Sequence, residues 1–232
     1  MSNPTVTIAI PSFNGVEVLP DCIESCLNQK YKDIEVIVVN DGSTDSTQDI
    51  LDYYAKKDSR VKPIKIKHSG ISIARQTAVD NAKGEYIAIM DTDCQMEPTR
   101  LIESLKAIKN ADIVYSEYIW VLRDGRIARV TPEDMSGKQI KDILDRKYPN
   151  SNQIVPNFTV MAKKECFKNV YRSEFKVNDD LIMVLEWMKR KYKFKLIKKP
   201  LVMHFETGYN VSSSKYKEVL KITNQLRKEE GI

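Results

Sequence analysis

The stretch Tyr86-Ile87-Ala88-Ile89-Met90-Asp91-Thr92-Asp93-Cys94 constrains this chain more than any other. Its apolar run, residues 86–90, is too short for a helix and well sized for a strand buried on both faces. Such a strand needs helices above and below it, which implies an α/β domain with a largely parallel sheet. Asp91 and Asp93 then stand one residue apart where the strand should end. At strand spacing, residues i and i+2 point the same way. Both carboxylates are therefore expected to face one small object beyond the carboxyl edge, where ligands of open α/β sheets bind. Two ionised carboxylates about 4 Å apart repel by about 4 kcal/mol at an effective dielectric of ~20. A divalent cation carrying phosphate oxygens would relieve that repulsion. The plainer alternative is that the pair caps a helix ahead of Glu97-Pro98.

The remainder of the first half repeats the strand–helix alternation. Residues 5–10 form a β-rich run that should stop at Pro11, and Pro20 opens a helix with Cys22, Ile23, Cys26 and Leu27 on one side. Residues 34–39 read as a second buried strand, ended by Asn40-Asp41-Gly42, with Ser43, Thr44 or Asp45 capping the next helix. Residues 61–66 read as a third strand, and a helix after Ser69-Gly70 is expected to end at Gly84. The polar turns after the strands should meet at one edge of the sheet. The chain contains neither Gly-x-Gly-x-x-Gly after its first strand nor a Gly-x-x-x-x-Gly-Lys-Ser/Thr loop, which disfavours ordinary dinucleotide and P-loop sites.

The second half is less regular. Residues 112–122 and 126–130, joined by Arg123-Asp124-Gly125, read as a hairpin, Asp-Gly being a strong two-residue turn signal, and residues 137–148 as a helix. A strand is expected over 158–161, and a helix near 164–170. Asp179-Asp180 opens a helix that is apolar nearly all round through Met188, hence buried. Residues 193–197 and 202–205 read as two separate strands, the second carrying His204. The spacing of Tyr216, Val219, Leu220, Thr223 and Leu226 predicts an amphipathic helix in the tail.

Composition limits the partners. The net charge of +5 is uneven: residues 189–232 carry +8, leaving −3 for residues 1–188. A basic, amphipathic tail over 207–232 favours an anionic partner and permits peripheral contact with a membrane. Nucleic acid is disfavoured, because the basic residues fall into no binding motif. Cys22, Cys26, Cys94 and Cys166 include no Cys-x-x-Cys, and the chain has only 2 histidines, which argues against a zinc site or a disulfide framework. That usage, with no signal-peptide character in Met1-Ser2-Asn3-Pro4, leads to an expectation of a cytoplasmic setting, at or away from the inner membrane face.

The ordered set Ile10-Pro11-Ser12-Phe13-Asn14, Val39-Asn40-Asp41-Gly42-Ser43-Thr44-Asp45, Gly70 with Ala74-Arg75, Asp91-Thr92-Asp93 and Asp179-Asp180 resembles the family-two inverting glycosyltransferases of the GT-A fold. The likeness runs from about residue 5 to residue 206. It implies a single GT-A domain over 1–232: a nucleotide-sugar half (1–94), an acceptor half (95–206) and the basic tail. It also implies a nucleotide-diphosphate sugar, a UDP-sugar first among them, Mn²⁺ or Mg²⁺, and a glycan, lipid-linked or protein acceptor. By the same resemblance Asp41 meets the nucleobase in a pocket lined by Pro11, Phe13 and Asn14. Arg75 lies near the diphosphate, with Gln76 where the family has Asn. Asp91, Thr92 and Asp93 form the metal–diphosphate turn, and His204 falls where some members place a further metal ligand. Asp180 matches the general base, and Asp179 stands at the acceptor-binding position where Glu is usual. Two other functions compete: a sugar-nucleotide pyrophosphorylase, whose Gly-rich opening with Arg and Lys is missing from Ser12-Phe13-Asn14-Gly15, and a non-catalytic module that binds nucleotide sugars.

Overall fold

A computed structural model describes residues 5–144, 154–171, 179–207 and 228. Among these, one sheet carries every strand, in the order β3-β2-β1-β4-β8-β6-β9-β5, with β7 paired to β6 alone. The four strands at one end, β1 (Val6–Ser12), β2 (Ile34–Asp41), β3 (Val61–Ile66) and β4 (Tyr86–Ile89), are parallel. The other end is mixed. It holds β5 (Cys94–Met96), β6 (Ile113–Val121), β7 (Ile127–Val130), β8 (Met161–Lys163) and β9 (Phe194–Phe205). Here β8 is antiparallel to β4 and to β6, β9 is parallel to β6, and β5 is antiparallel to β9.

The parallel half follows from its apolar runs. Ala9, Ile37, Val39, Ile87 and Ile89 point into one core, whereas Ile8, Ile10, Val36, Val38 and Ala88 point into the other. Alternate residues of each strand thus serve opposite faces, and the buried polar exceptions near the amino ends, Thr7 and Glu35, hydrogen-bond to each other at 2.6 Å. Helices α1 (Leu19–Leu27), α2 (Thr47–Lys57) and α4 (Arg100–Ala107) pack on one face. Helix α3 (Ile71–Asn81), the short α5 (Ile140–Leu144) and α6 (Asp179–Lys189) cover the other. Cys22, Ile23, Cys26 and Leu27 are buried on α1 as expected, and the α6 run is buried from Asp179 through Leu185.

Several expectations shift in detail. β1 continues through Pro11 to Ser12. The Ala9 carbonyl accepts from Met90 N, so by alternation Pro11 turns its nitrogen to the same side, past the end of β4, and forfeits no ladder bond. The hairpin keeps the expected Arg123-Asp124-Gly125 connection: Leu122 and Arg126 close it, and Gly125 at φ 83° makes it a type I turn with a bulge rather than the two-residue turn that Asp-Gly signals. The strand expected at 158–161 is displaced. Asn157–Thr159 is a 3₁₀ turn, and β8 starts at Met161. Residues 164–167 form 3₁₀ rather than α-helix. The two pieces at 193–197 and 202–205 are one strand, β9, whose register against β6 slips beside Ser116, Glu117 and Tyr118. Of the helix expected at 137–148, α5 covers Ile140–Leu144, while residues 145–148 and nearly all of the tail lie outside the described residues.

Gly84 does not cap α3, which ends at Asn81. A side chain there would meet Thr7 N at 2.5 Å and Tyr86 O at 2.9 Å, both backbone, so glycine is required for β4 to dock on β1. Gly125 has open space around its missing Cβ. Gly84→Ala should therefore cost about 1–3 kcal/mol from overpacking, at the upper end because the backbone itself must move. Gly125→Ala should cost only the ~1–2 kcal/mol of a left-handed residue. Urea unfolding midpoints of the two variants check the order.

Candidate active site

The first two strand ends are stitched together by their own side chains. Asn14, at φ 50°, donates its backbone N–H to Ser43 Oγ (3.0 Å), and its side-chain oxygen accepts from Thr44 N (2.8 Å). Gly15 N donates to Thr47 Oγ1 at 2.9 Å and Val16 N to Asp45 Oδ2 at 3.1 Å. Asp45, alone of the three offered caps, also accepts from Thr47 N at 3.0 Å at the start of α2. These bonds lower the Asp45 pKa against the opposing effect of burial.

Asp41 is buried at the end of β2. Its carboxylate accepts from Ser69 N (2.7 Å) and Gly70 N (2.9 Å), and His68 Nδ1 lies 3.0 Å from Oδ2. It thereby ties the β3–α3 loop across the edge of the sheet. Phe13 and His68 are both exposed, and their rings lie 4.3 Å apart with a 31° tilt at the mouth of this notch. Pro11, Phe13, Asn14 and Asp41 thus gather around one opening. Asn14 and Asp41 already use polar atoms to shape it, and His68 joins it unforeseen.

The segment after β4 is not extended. Cys94 N donates to Asp91 O at 3.1 Å, closing a turn over 91–94. Strand alternation therefore does not apply, and the two carboxylates take different partners. Asp91 pairs with Arg75, whereas Asp93 Oδ1 lies 3.6 Å from His204 Nδ1. Thr92 packs beside Gly15, where a Cβ would stand 3.6 Å from its Cγ2. Beneath the turn, Arg100 is fully buried on α4 and donates to the carbonyls of Ile89 (3.0 Å) and Val160 (3.2 Å). Burial pulls its pKa down to about 10.

Arg75, on α3, is buried and bridges two carboxylates: one guanidinium nitrogen donates to Asp91 and the other to Asp179. Burial disfavours its charge, but Asp179 and Asp91 more than compensate, so its pKa lies well above the usual value. The turn after β4 and the start of α6 are thereby joined through one cation. Asp91 itself is pushed upward, chiefly by burial and partly by Asp93, against the pull of Arg75.

Asp180 sits in the first turn of α6, buried, and accepts a hydrogen bond from Asn157 Nδ2. Asn157 in turn accepts from Tyr171 Oη at 2.8 Å. Burial, then the neighbouring charge of Asp179, holds the Asp180 pKa well above the carboxylate range; Arg75 and Asn157 pull the other way. Burial also drives Tyr171 well above its ordinary value, leaving it a neutral donor. Asn157 and Tyr171 were not foreseen. Asn157 lies in a stretch whose regular structure the sequence misplaces, and only its polarity among Pro156, Phe158 and Val160 hints that it has a buried partner.

The expected cation residues Asp93 and His204 therefore do converge, Asp93 from the turn before β5 and His204 from the end of β9. Cys94, adjacent to Asp93, completes a triangle of potential ligand atoms within 4.8 Å of one another. The donor set fits a divalent cation, since it offers a carboxylate, an imidazole and a thiol from one partly exposed edge. Asp91, expected beside Asp93 on the same ion, is committed to Arg75 instead.

Comparison with known proteins places this arrangement. The chain is 28% identical to TuaG, a Bacillus subtilis glycosyltransferase assigned to teichuronic acid biosynthesis, across 94% of this chain and 85% of that one. It is 33% identical to the glycosyltransferase GlyG of Streptococcus pneumoniae, across 75% of this chain but 62% of GlyG. The solved structure of S. aureus TarS in complex with UDP-GlcNAc matches 96% of this chain and 65% of its own, with a TM-score of 0.73 at 19% identity. That likeness shows the fold, which is of GT-A type. The sequence profile of Glycosyl transferase family 2 matches residues 7–171, and the chain belongs to that family.

Proposed function

We propose that this chain moves a sugar from a nucleotide-diphosphate donor, a UDP-sugar, to an acceptor hydroxyl with inversion, and that Asp180 is the general base. The observation that carries the reading is the presence of two separate carboxyl sites with different partners. Asp93 lies beside His204 at the cation edge. Asp180 lies at the start of a rigid buried helix, its carboxyl held by Asn157. The relatives are glycosyltransferases, and the TarS structures hold UDP or UDP-GlcNAc. Residues 1–94 form the donor half in this reading and residues 95–206 the acceptor half.

Pro11, Phe13, Asn14 and Asp41 line the nucleobase notch, with Thr92 and Asp91 at the diphosphate and Arg75 acting there through Asp91. Asp93 and His204 would hold Mn²⁺ or Mg²⁺. Such an ion, when bound, supplies positive charge against the charge growing on the departing diphosphate. Asp180 takes the proton of the acceptor hydroxyl as that oxygen attacks the face of the anomeric carbon opposite the leaving group. In-line attack from that side inverts the centre. Asp179 fixes Arg75 and stands beside the acceptor. The acceptor is a glycan, a lipid-linked saccharide or a protein. No helix among the described residues is long and apolar enough to cross a membrane, so a lipid-linked acceptor would be met from the membrane surface.

A panel of nucleotide sugars with Mn²⁺ or Mg²⁺, read as nucleoside diphosphate release with and without acceptor, tests the function. Formation of nucleoside triphosphate from pyrophosphate would instead indicate a pyrophosphorylase. Binding without turnover would indicate a sugar-nucleotide receptor. Asp180→Asn should lower kcat by about 10²–10⁴-fold while donor affinity stays within a few-fold. Equal losses in both would make Asp180 structural.

The pH profile is a second test. Asp180 works only when ionised, and burial beside Asp179 raises its pKa. The rate should therefore fall with decreasing pH through a limb above the ordinary aspartate range. Arg75, Asp91, Asp179, Asn157 and Tyr171 are the groups that set that limb. Asn157→Ala removes a donor that favours the ionised form, so the limb should move further up and kcat at neutral pH should drop without change in donor affinity. A limb that does not move would give Asn157 a packing role only.

A further inference from the structure

The cation edge of the site contains a ligand that the family resemblance did not supply, the thiol of Cys94. β5 and β9 are antiparallel with Cys94 directly opposite His204, so the two side chains leave the same face of the sheet. Phe205 N donates to Asp93 O at 2.9 Å and fixes the neighbouring residue against the same strand. Cys94 Sγ lies 3.3 Å from His204 Nδ1 and 3.6 Å from Asp93 Oδ1, and the third side of the triangle, His204 to Asp93, is 3.6 Å.

These lengths suit a single small ion, and the ligand types choose between ions. A tetrahedral ion with bonds of about 2.3 Å to sulfur and ~2.0–2.1 Å to nitrogen and oxygen spaces its ligands roughly 3.3–3.6 Å apart. The ligand chemistry agrees, because thiolate and imidazole suit zinc whereas magnesium prefers oxygen alone. Phe158 stacks on the His204 ring at 4.9 Å and 7°, which holds the imidazole plane in place. Cys94 is 1% exposed and His204 8%, so the soft ligands sit in a dry wall and the Asp93 side faces out.

We propose that Asp93, Cys94 and His204 form a thiophilic cation site whose preferred occupant is Zn²⁺. On binding, the Cys94 S–H bond breaks, its proton leaves to solvent, and the sulfur lone pair bonds the ion. Asp93 and the thiolate then balance the charge of the ion. Three protein ligands on a tetrahedral ion leave one open position, fewer than a diphosphate chelated through two oxygens would use. Zn²⁺ at this site therefore competes with the cation that transfer needs and inhibits it. The inference rests on the functional reading only in taking Asp93 and His204 as the cation side. A search for local Cys-x-x-Cys or His spacing could not reveal the site, since Cys94 and His204 lie 110 residues apart.

The test uses the full chain, stripped with a chelator and titrated with Cd²⁺ as a spectroscopic stand-in for Zn²⁺. The folded wild type should develop the ultraviolet absorption of a cadmium–thiolate bond, and Zn²⁺ should displace it. Cys94→Ser should abolish the band and weaken Zn²⁺ competition by at least about tenfold, the lower end of what losing even an outer-shell partner costs. Cys22→Ser and Cys26→Ser should both keep the band. His204→Gln, checked for folding by circular dichroism, should weaken Cd²⁺ binding as Cys94→Ser does. Absence of the band in folded wild type, its survival in Cys94→Ser, or its loss in Cys22→Ser or Cys26→Ser would overturn the proposal. The band needs no donor, so the two readings separate. Cadmium binding without diphosphate release from any nucleotide sugar would end the transferase reading alone, and cation-dependent release without the band would end this one alone.

Discussion

The buried guanidinium of Arg75 is the contact on which the rest of the site depends. It lies between Asp91, at the end of the parallel half, and Asp179, which opens a helix 104 residues further on. Without a cation in that position, Asp91 and Asp179 would face each other across an apolar wall, beside Asp93 and Asp180. Removing one partner of a buried pair typically costs 3–5 kcal/mol because the other charge is left uncompensated, roughly 3 in the gentlest cases. Here one side chain has two partners, so its loss would strand two carboxylates. The bridge is better understood as fixing geometry than as adding net stability, since burying ions is costly in itself.

The switch from parallel to antiparallel pairing at β8 determines what else can reach the edge. β8 turns the sheet over between β4 and β6, and β9 then returns parallel to β6 and ends beside β5. Only because β5 meets β9 antiparallel does residue 94 fall opposite residue 204. The irregular register of β9 beside Ser116, Glu117 and Tyr118 belongs to the same solution. Glu117, buried at the slip, is satisfied by Arg129 from β7 and by Thr131 at 2.8 Å. A straight ladder there would displace the end of β9 and with it His204.

The parallel half was legible because burial on both faces leaves an unbroken apolar run in β2 and β4, while β3, an edge strand with exposed Lys62 and Lys65, was still bounded to the residue. Pro11 and Asn40–Asp41 hid the ends of β1 and β2, since polar or imino residues at a functional edge look like turns even when the backbone is still paired. Lys198-Lys199-Pro200 split β9 in two on paper for the same reason: a slipped, partly exposed stretch loses the alternation by which strands are recognised. The opposite error concerned Asp91 and Asp93, where alternation was extended one step past the end of the strand. Asn157 and Cys94 carried no signal that single-sequence patterns register. One is a lone polar residue in an irregular segment, and the other acquires its meaning only from a partner across the sheet.

The electrostatics also decide what Arg75 can do during a reaction. The resemblance placed it near the donor diphosphate, where it would act by leaving its two carboxylates for phosphate oxygens. The sign of its effect on Asp180 opposes that movement. Arg75 lowers the Asp180 pKa while Asp179 and Asp91 raise it. Were the guanidinium to move to the donor, the base would face two unbalanced carboxylates and hold its proton more tightly, at the step where it must be free to accept one. A donor and a divalent cation entering together bring nearly cancelling charge and leave the bridge undisturbed. On the proposed function, the arrangement is therefore self-consistent with Arg75 kept between Asp91 and Asp179, orienting the turn from behind where a bound ion would meet the phosphates.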